Sequence, residues 1–347
     1  MAFTGYVFES AETISPYLEE PRTGPSSLFC REVAIHLGCY VAGGYPERLS
    51  EEERLVESQA DRSIRFPVGG MDIETTSDVD TLSATPVGAN SAIIYGPSGE
   101  WVGGYRKTNL YETDKTWAKP GTGFTSFSLT PPSISRTESG EVPTSNLLKM
   151  TIGICMDLNP FPSCHQTTVE WPCELADYCV KSKSDLLVLL NAWLDPSLDD
   201  DRDENAEDGT LDSTDDSSAE DNEVIDAEGT EPSWHTLRYW AARLHPLFER
   251  DWRRRGSTET IVSNSSTDEH EKAKEGREIV EEVNDEQGEK PPHTTIVVVC
   301  NRTGTENGTT FAGSSTIFNM RAGSGRARIL DVMGKNEEGI RVWDLYL

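Results

Sequence analysis

Hydrophobic positions along the chain follow two periods. Short apolar runs bounded by turn residues predict strands: CYVAGGYPE, SAIIYGP, EWVGGYRKTNL, LLKMTIGICMDL, DLLVLLNAWL, TIVVVCNRTG, SSTIFNM, RARILDVM and GIRVWDL. Three other stretches carry large residues at helical spacing, Ser26–Leu37, Val169–Lys181 and Trp234–Trp252, the last containing RYWAARL. Strand-rich segments interleaved with helices predict an α/β or layered α+β fold. No internal repeat is visible, and a single domain is expected.

Two tracts break this pattern. Residues 199–231 hold 16 acidic residues and one base, Arg202. Residues 256–290 hold 11 acids and four bases. Neither has an apolar period, and such composition cannot bury enough apolar surface to offset its ordering entropy. The reading is therefore one domain over residues 1–347, interrupted by acidic disordered insertions at 197–232 and 256–292.

The two tracts carry most of the net charge of −29, set by 31 basic and 60 acidic residues among 347. This sign disfavours nucleic acid and anionic membranes, both polyanions. No apolar run reaches the roughly 18 residues that a membrane span needs. The opening MAFTGYVFESAETISPYLEEP lacks the basic and apolar regions of a signal peptide. Seven scattered cysteines suit reduced thiols better than a disulfide framework. The cytoplasm is the expected compartment, with the nucleus as the other. Metal chemistry finds no CxxC pair and no HExxH, and no cofactor is implied.

Cys155 ends the apolar run TIGIC and precedes MDLNP, whose Asn159-Pro160 is a turn signal. A thiol at a strand end beside a turn can project into a cleft, although most free cysteines are simply packed. A thiol nucleophile needs help to ionise and a cation for the developing oxyanion. None of the six histidines carries a local signature for that. Lys107 lies in WVGGYRKTNLY, where an apolar strand ends in a positive pair. Read alone, it would be a solvated lysine.

The segments GGYRKTNLYETDKTW and TIGICMDLNP, which set Lys107 and Cys155 48 positions apart, change that reading. Together with MAFTGYVF, VAGGYPE, NAWL and NRTGTENGTTFAGSSTIF they resemble the nitrilase, or carbon–nitrogen hydrolase, superfamily. The likeness is greatest to its fungal branch of protein N-terminal asparagine/glutamine amidohydrolases, and it runs over nearly the whole chain outside the acidic tracts. It implies a four-layered α-β-β-α sandwich, here missing its first strand-helix-strand unit, and a Glu-Lys-Cys triad. By that resemblance Cys155 is the nucleophile and Lys107 the oxyanion-stabilising cation. The backbone N–H of Met156 is a second donor. The implied partners are protein or peptide N-termini bearing Asn or Gln, bound by a monomer or a homodimer.

The resemblance leaves the third member of the triad open. The family's Glu belongs to a Pro-Glu pair directly ahead of the segment matching Met1–Tyr6, so it would precede Met1. The chain as written is accordingly expected to be poorly stable and inactive, and its parent competent. Glu9, Glu12, Glu19 and Glu20 read as solvated. Glu112 and Asp114 are the carboxylates nearest Lys107, and a second acid is not assigned between them. For the substrate's α-ammonium, Asp157 is the candidate carboxylate, with capping of the following turn as its other reading. Asn191 and Trp193 are candidate pocket walls. The alternatives are a small-amide hydrolase of the same superfamily and an inactive fragment that only binds partners.

Overall fold

The computed structural model describes residues 1, 3–57, 85–130, 147–161, 172–196, 230–249 and 292–344. The acidic insertions, apart from residues 230–232 and 292, lie outside the described residues, as do residues 250–252 at the end of the helix expected over Trp234–Trp252.

Two sheets and their helices stack in four layers. The outer helix is α2 (Pro25–Leu37), which Pro25 opens at its first turn and Gly38 closes in the left-handed conformation at φ +62°. The short helices α1 (Ala11–Ile14) and α3 (residues 51–57) flank it in sequence. Beneath α2 lies a three-stranded antiparallel sheet of β1 (Val41–Arg48), β2 (Gly88–Tyr95) and β3 (Trp101–Arg106), in that order. The central strand β2 is buried at all eight positions, because α2 covers one face and the second sheet the other. Ile93 and Tyr95 meet Cys30 and Ala34 of α2, whereas Ala92 and Ile94 face inward.

The second sheet has six strands in the order β11-β10-β7-β6-β5-β4. These are β4 (Thr125–Leu129), β5 (Leu148–Gly153), β6 (Leu186–Asn191), β7 (Thr294–Asn301), β10 (Thr316–Arg321) and β11 (Arg328–Val332), while β8 (Thr305–Glu306) and β9 (Thr309–Thr310) pair as a separate hairpin. β5, β6 and β7 are parallel, and the other pairs are antiparallel. Met150 and Ile152 pack on Ala92, Ile94 and Tyr105 to form the core between the sheets. Gly103 is required there: a Cβ at that position would lie 2.2 Å from the Phe127 ring, so its absence lets the sheets approach. On the far face, α5 (Glu174–Ser182) and α6 (Trp234–Arg243) cover Leu187, Leu189, Val297, Val299 and Phe318. The expected layered α-β-β-α sandwich is thus present.

Three sequence readings need correction. The helix expected over Trp234–Trp252 ends at Arg243, because Pro246 cannot donate the next helical hydrogen bond, and a 3-10 turn, His245–Leu247, follows. The described part of GIRVWDL, residues 339–344, is not a strand: Ile340 and Val342 are exposed, and Trp343 Nε1 donates to Asp331 at 3.0 Å. Glu19 is buried instead of solvated. Its carboxylate accepts the Ser26 N–H at 2.8 Å and the Ser26 hydroxyl at 2.7 Å, at the positive end of α2.

Candidate active site

Alternation along β3 turns Gly103 and Tyr105 toward the second sheet, and Lys107 follows with the same parity just beyond the strand. Its backbone N–H bonds Asn90 O at 2.8 Å, which fixes the exit from the sheet. The Lys107 side chain is fully buried. Nζ lies 2.5 Å from Asp114 Oδ2 and 3.3 Å from the Tyr6 hydroxyl, with the Tyr6 ring centre at 5.6 Å.

Asp114 sits in the one-turn helix α4 (Glu112–Lys115) and is equally buried. Its Oδ2 also accepts the Tyr111 N–H at 3.0 Å and the Tyr6 hydroxyl at 3.5 Å, while Oδ1 accepts Asn90 Nδ2 at 3.1 Å. Burial opposes the charge on Lys107. The facing negative charges, Asp114 foremost, more than offset it and raise the ammonium's pKa. Lys107 is therefore a cation at neutral pH. Burial and the Asp114 carboxylate push the Tyr6 phenol up, so it stays protonated.

Cys155 opens a 3-10 turn, Cys155–Leu158, directly after β5. Its φ of +46° lies in the left-handed region, which costs a residue with a Cβ about 1–3 kcal/mol. Asn191, at the end of the adjacent parallel strand β6, holds that conformation by accepting the Cys155 N–H on Oδ1 at 2.9 Å. Burial raises the thiol's pKa, and Asp114 and Asp157 add to the rise. Lys107 and the Ala192 N–H pull the other way. The resting thiol is neutral, and Lys107 is the charge that favours its ionisation.

The loops that carry Lys107 and Cys155 are braced against each other. Asp157 Oδ1 accepts the N–H groups of Thr108 at 3.0 Å and Asn109 at 2.8 Å. Its Oδ2 accepts the Tyr105 hydroxyl at 2.7 Å and the Ile154 N–H at 2.8 Å. In return Asn109 Nδ2 donates to the carbonyls of Met156, Asn159 and Pro160 at 2.8, 3.3 and 3.3 Å. Asp157 thus makes the capping contact and spends both oxygens inside the protein. It is a bracing group, not the ligand for an α-ammonium that the sequence reading also allowed.

Neighbouring groups hold these loops in turn. Arg106 reaches Glu47 at 2.7 Å and Glu53 at 2.6 Å, anchoring the residue next to Lys107. Glu306 accepts the N–H groups of Tyr6, at 3.0 Å to each oxygen, and of Val7 at 3.3 Å. Gly5 makes room for that carboxylate, since a Cβ there would lie 2.3 Å from Glu306 Oε1. Met156 is half-buried with its carbonyl bonded to Asn109. Trp193 is half-buried too, its ring 5.5 Å from that of Tyr239 and its backbone N–H donating to Asn301 Oδ1 at 2.8 Å. Among the described residues, no group of three or more His, Cys, Asp or Glu is placed to hold a metal ion. No helix among them is long and apolar enough to cross a membrane.

No protein-family model matches the chain. Two curated proteins do. The protein N-terminal amidase of Schizosaccharomyces pombe is 26% identical over 361 residues, spanning 99% of this chain and 84% of that protein. That of Saccharomyces cerevisiae is 24% identical over 385 residues, spanning 91% and 75%. Among solved structures, a crystal structure of N-terminal amidase superposes with a TM-score of 0.60 at 23% identity, covering 96% of this chain and 84% of the other. The chain has the N-terminal amidase fold. Crystal structures of N-terminal amidase with an Asn-Glu-Ala peptide and with a Gln-Val peptide match it at TM-scores of 0.61 and 22% identity, covering 97% and 96% of this chain and 84% of each of those.

Within this N-terminal amidase fold, Lys107, Cys155, Met156 and Asn191 converge, with Trp193 two residues beyond Asn191. Sequence reasoning left out Tyr6, Tyr105 and Asn109, and left Asp114 undecided against Glu112. The structure separates those two acids, since Glu112 is exposed and pairs with Lys115 at 2.5 Å. Tyr6 lies inside the MAFTGYVF motif, and Asn109 two residues past Lys107. Both were within view, but their partners are distant in sequence.

Proposed function

We propose that this chain is a thiol amidohydrolase that converts N-terminal Asn and Gln side chains of proteins to Asp and Glu with release of ammonia. The observation that carries this reading is the buried Lys107–Asp114 pair bearing on the left-handed Cys155 thiol. The names of the two curated relatives and the peptides in the related crystal structures supply the substrate class. Cys155 Sγ adds to the side-chain carboxamide carbon, and the oxyanion is met by the Lys107 ammonium and the Met156 N–H. Such preset donors act without reorganising as charge develops. The C–N bond then breaks, and the thiol proton leaves with the nitrogen as ammonia. Water adds to the thioester, releasing the carboxylic acid and restoring the thiol.

In this reading Asp114 keeps Lys107 charged, Asn191 and Trp193 line the pocket, and no metal or cofactor takes part. A single domain over residues 1–347 acts on protein or peptide N-termini in the cytoplasm. The test is ammonia release from Asn-initiated and Gln-initiated peptides, compared with free Asn, free Gln and simple amides, by the chain carried upstream to include the Pro-Glu pair that the resemblance implies. Release from the peptides that Cys155→Ser and Lys107→Ala each abolish is expected. Release from simple amides alone would transfer the activity to a small-amide hydrolase, and release from none would end the enzyme reading.

A further inference from the structure

We propose that Asn109 and Asp157 are positioning residues that set the placement of Lys107 against Cys155. The inference rests on the roles proposed above for those two groups. Lys107 leaves the three-stranded sheet and Cys155 leaves the six-stranded one, so no single strand ladder fixes their separation. The bonds that cross between their loops come from these two side chains in both directions. Asp157 takes two N–H groups from the Lys107 loop, and Asn109 gives its amide to three carbonyls of the Cys155 turn. Both side chains are buried, where such bonds are hardest to exchange for water. Tyr105, on the same strand as Lys107, ties the second oxygen of Asp157 to the sheet.

The arrangement has a mechanical sense. Slippage between the sheets would otherwise pass directly into the distance between the ammonium and the thiol. An error near 1 Å in such a pair costs about 100-fold in rate. The brace converts two independent loop ends into one unit that already holds Lys107 in register with Cys155.

The experiment uses the full chain carrying Asn109→Ala, or the milder Tyr105→Phe, which removes one bond to Asp157. Ala34→Gly serves as a control that loosens the outer helix α2, whose core cluster includes no residue of either loop. Cys155 alkylation by iodoacetamide is followed across pH by mass spectrometry of its peptide, beside kcat and KM for an Asn-initiated peptide. The titratable groups that couple to the thiol include Lys107, Asp114, Asp157, Tyr6 and the buried Met1 amine. Loss of the brace should move the alkylation midpoint upward as Lys107 drifts. Asn109→Ala should lower kcat about 10- to 100-fold with KM little changed, and Tyr105→Phe should act in the same direction but less. Ala34→Gly should lower the melting temperature and leave the midpoint alone. If both brace variants fold and keep the parental midpoint and kcat, or if the control shifts the midpoint as they do, the proposal is wrong. An alkylation shift without ammonia release from any chain would uphold the brace and overturn the amidase reading alone.

Discussion

The Lys107 ammonium and the Asp114 carboxylate, seven residues apart, meet at 2.5 Å with both side chains out of water. Removing one member of such a pair leaves a buried uncompensated charge and costs about 3–5 kcal/mol. Asp114→Asn keeps the shape and should destabilise the protein by that order in urea unfolding at neutral pH. Adding Lys107→Met to Asp114→Asn should restore part of the loss, because the stranded cation is gone. A double variant no more stable than Asp114→Asn would show that charge is not the cause.

The Cys155 backbone depends on Asn191. Asn191→Leu fills similar space but leaves the buried Cys155 N–H without its acceptor, a cost of about 1–3 kcal/mol. A lower unfolding midpoint together with slower Cys155 alkylation is expected. An unchanged alkylation rate would mean that the turn keeps its left-handed geometry unaided.

Ionisation of Cys155 carries a definite sign. Burial already places the thiol above its ordinary range, and Lys107 is the main charge pulling it down. Lys107→Gln should therefore move the alkylation midpoint further up, with peptide deamidation lost across the neutral range. A midpoint that stays in place would separate Lys107 electrically from the thiol.

Acid sensitivity should come partly from Glu53. Its hydrogen bond with Arg106 is the leading cause that lowers its pKa from 4.5 to about 2. A carboxylate held low in the folded state stabilises fully above its unfolded pKa, and that contribution fades as pH falls toward 2. Both side chains are about a third exposed, so the pair is worth only about 0.2–1 kcal/mol. Glu53→Gln should flatten the stability profile between pH 5 and pH 2 by that amount (about the span between the two pKa values), as read by urea unfolding at each pH. An unaltered slope would remove Glu53 from the account.

Much of this fold was visible in one dimension. β2, β5 and β7 announce themselves as apolar runs because both of their faces are covered, and Gly38 marks the end of α2 by the chemistry of its backbone. Lys107 and Cys155 could be read because each closes a strand in a motif of distinctive composition. Asn109, Tyr6 and Asp114 could not be read as fully, since their meaning comes from partners on other elements. Asn109 looks like an ordinary turn residue until Met156 and Asn159 are beside it. Glu19 misled for the same reason: a polar neighbourhood in sequence hid a contact with the start of α2. Ile340 and Val342 misled in the opposite sense, alternating like a strand without joining the sheet.

The parallel trio β5, β6 and β7 finishes along a single rim, and Cys155, Trp193 and Arg302 each follow one of its members. Choice of substrate is therefore decoupled from the requirement to fold. Rim connections can lengthen, shrink or exchange side chains while the apolar strand faces beneath them keep their packing, so the chemistry at the rim can change without loss of the fold.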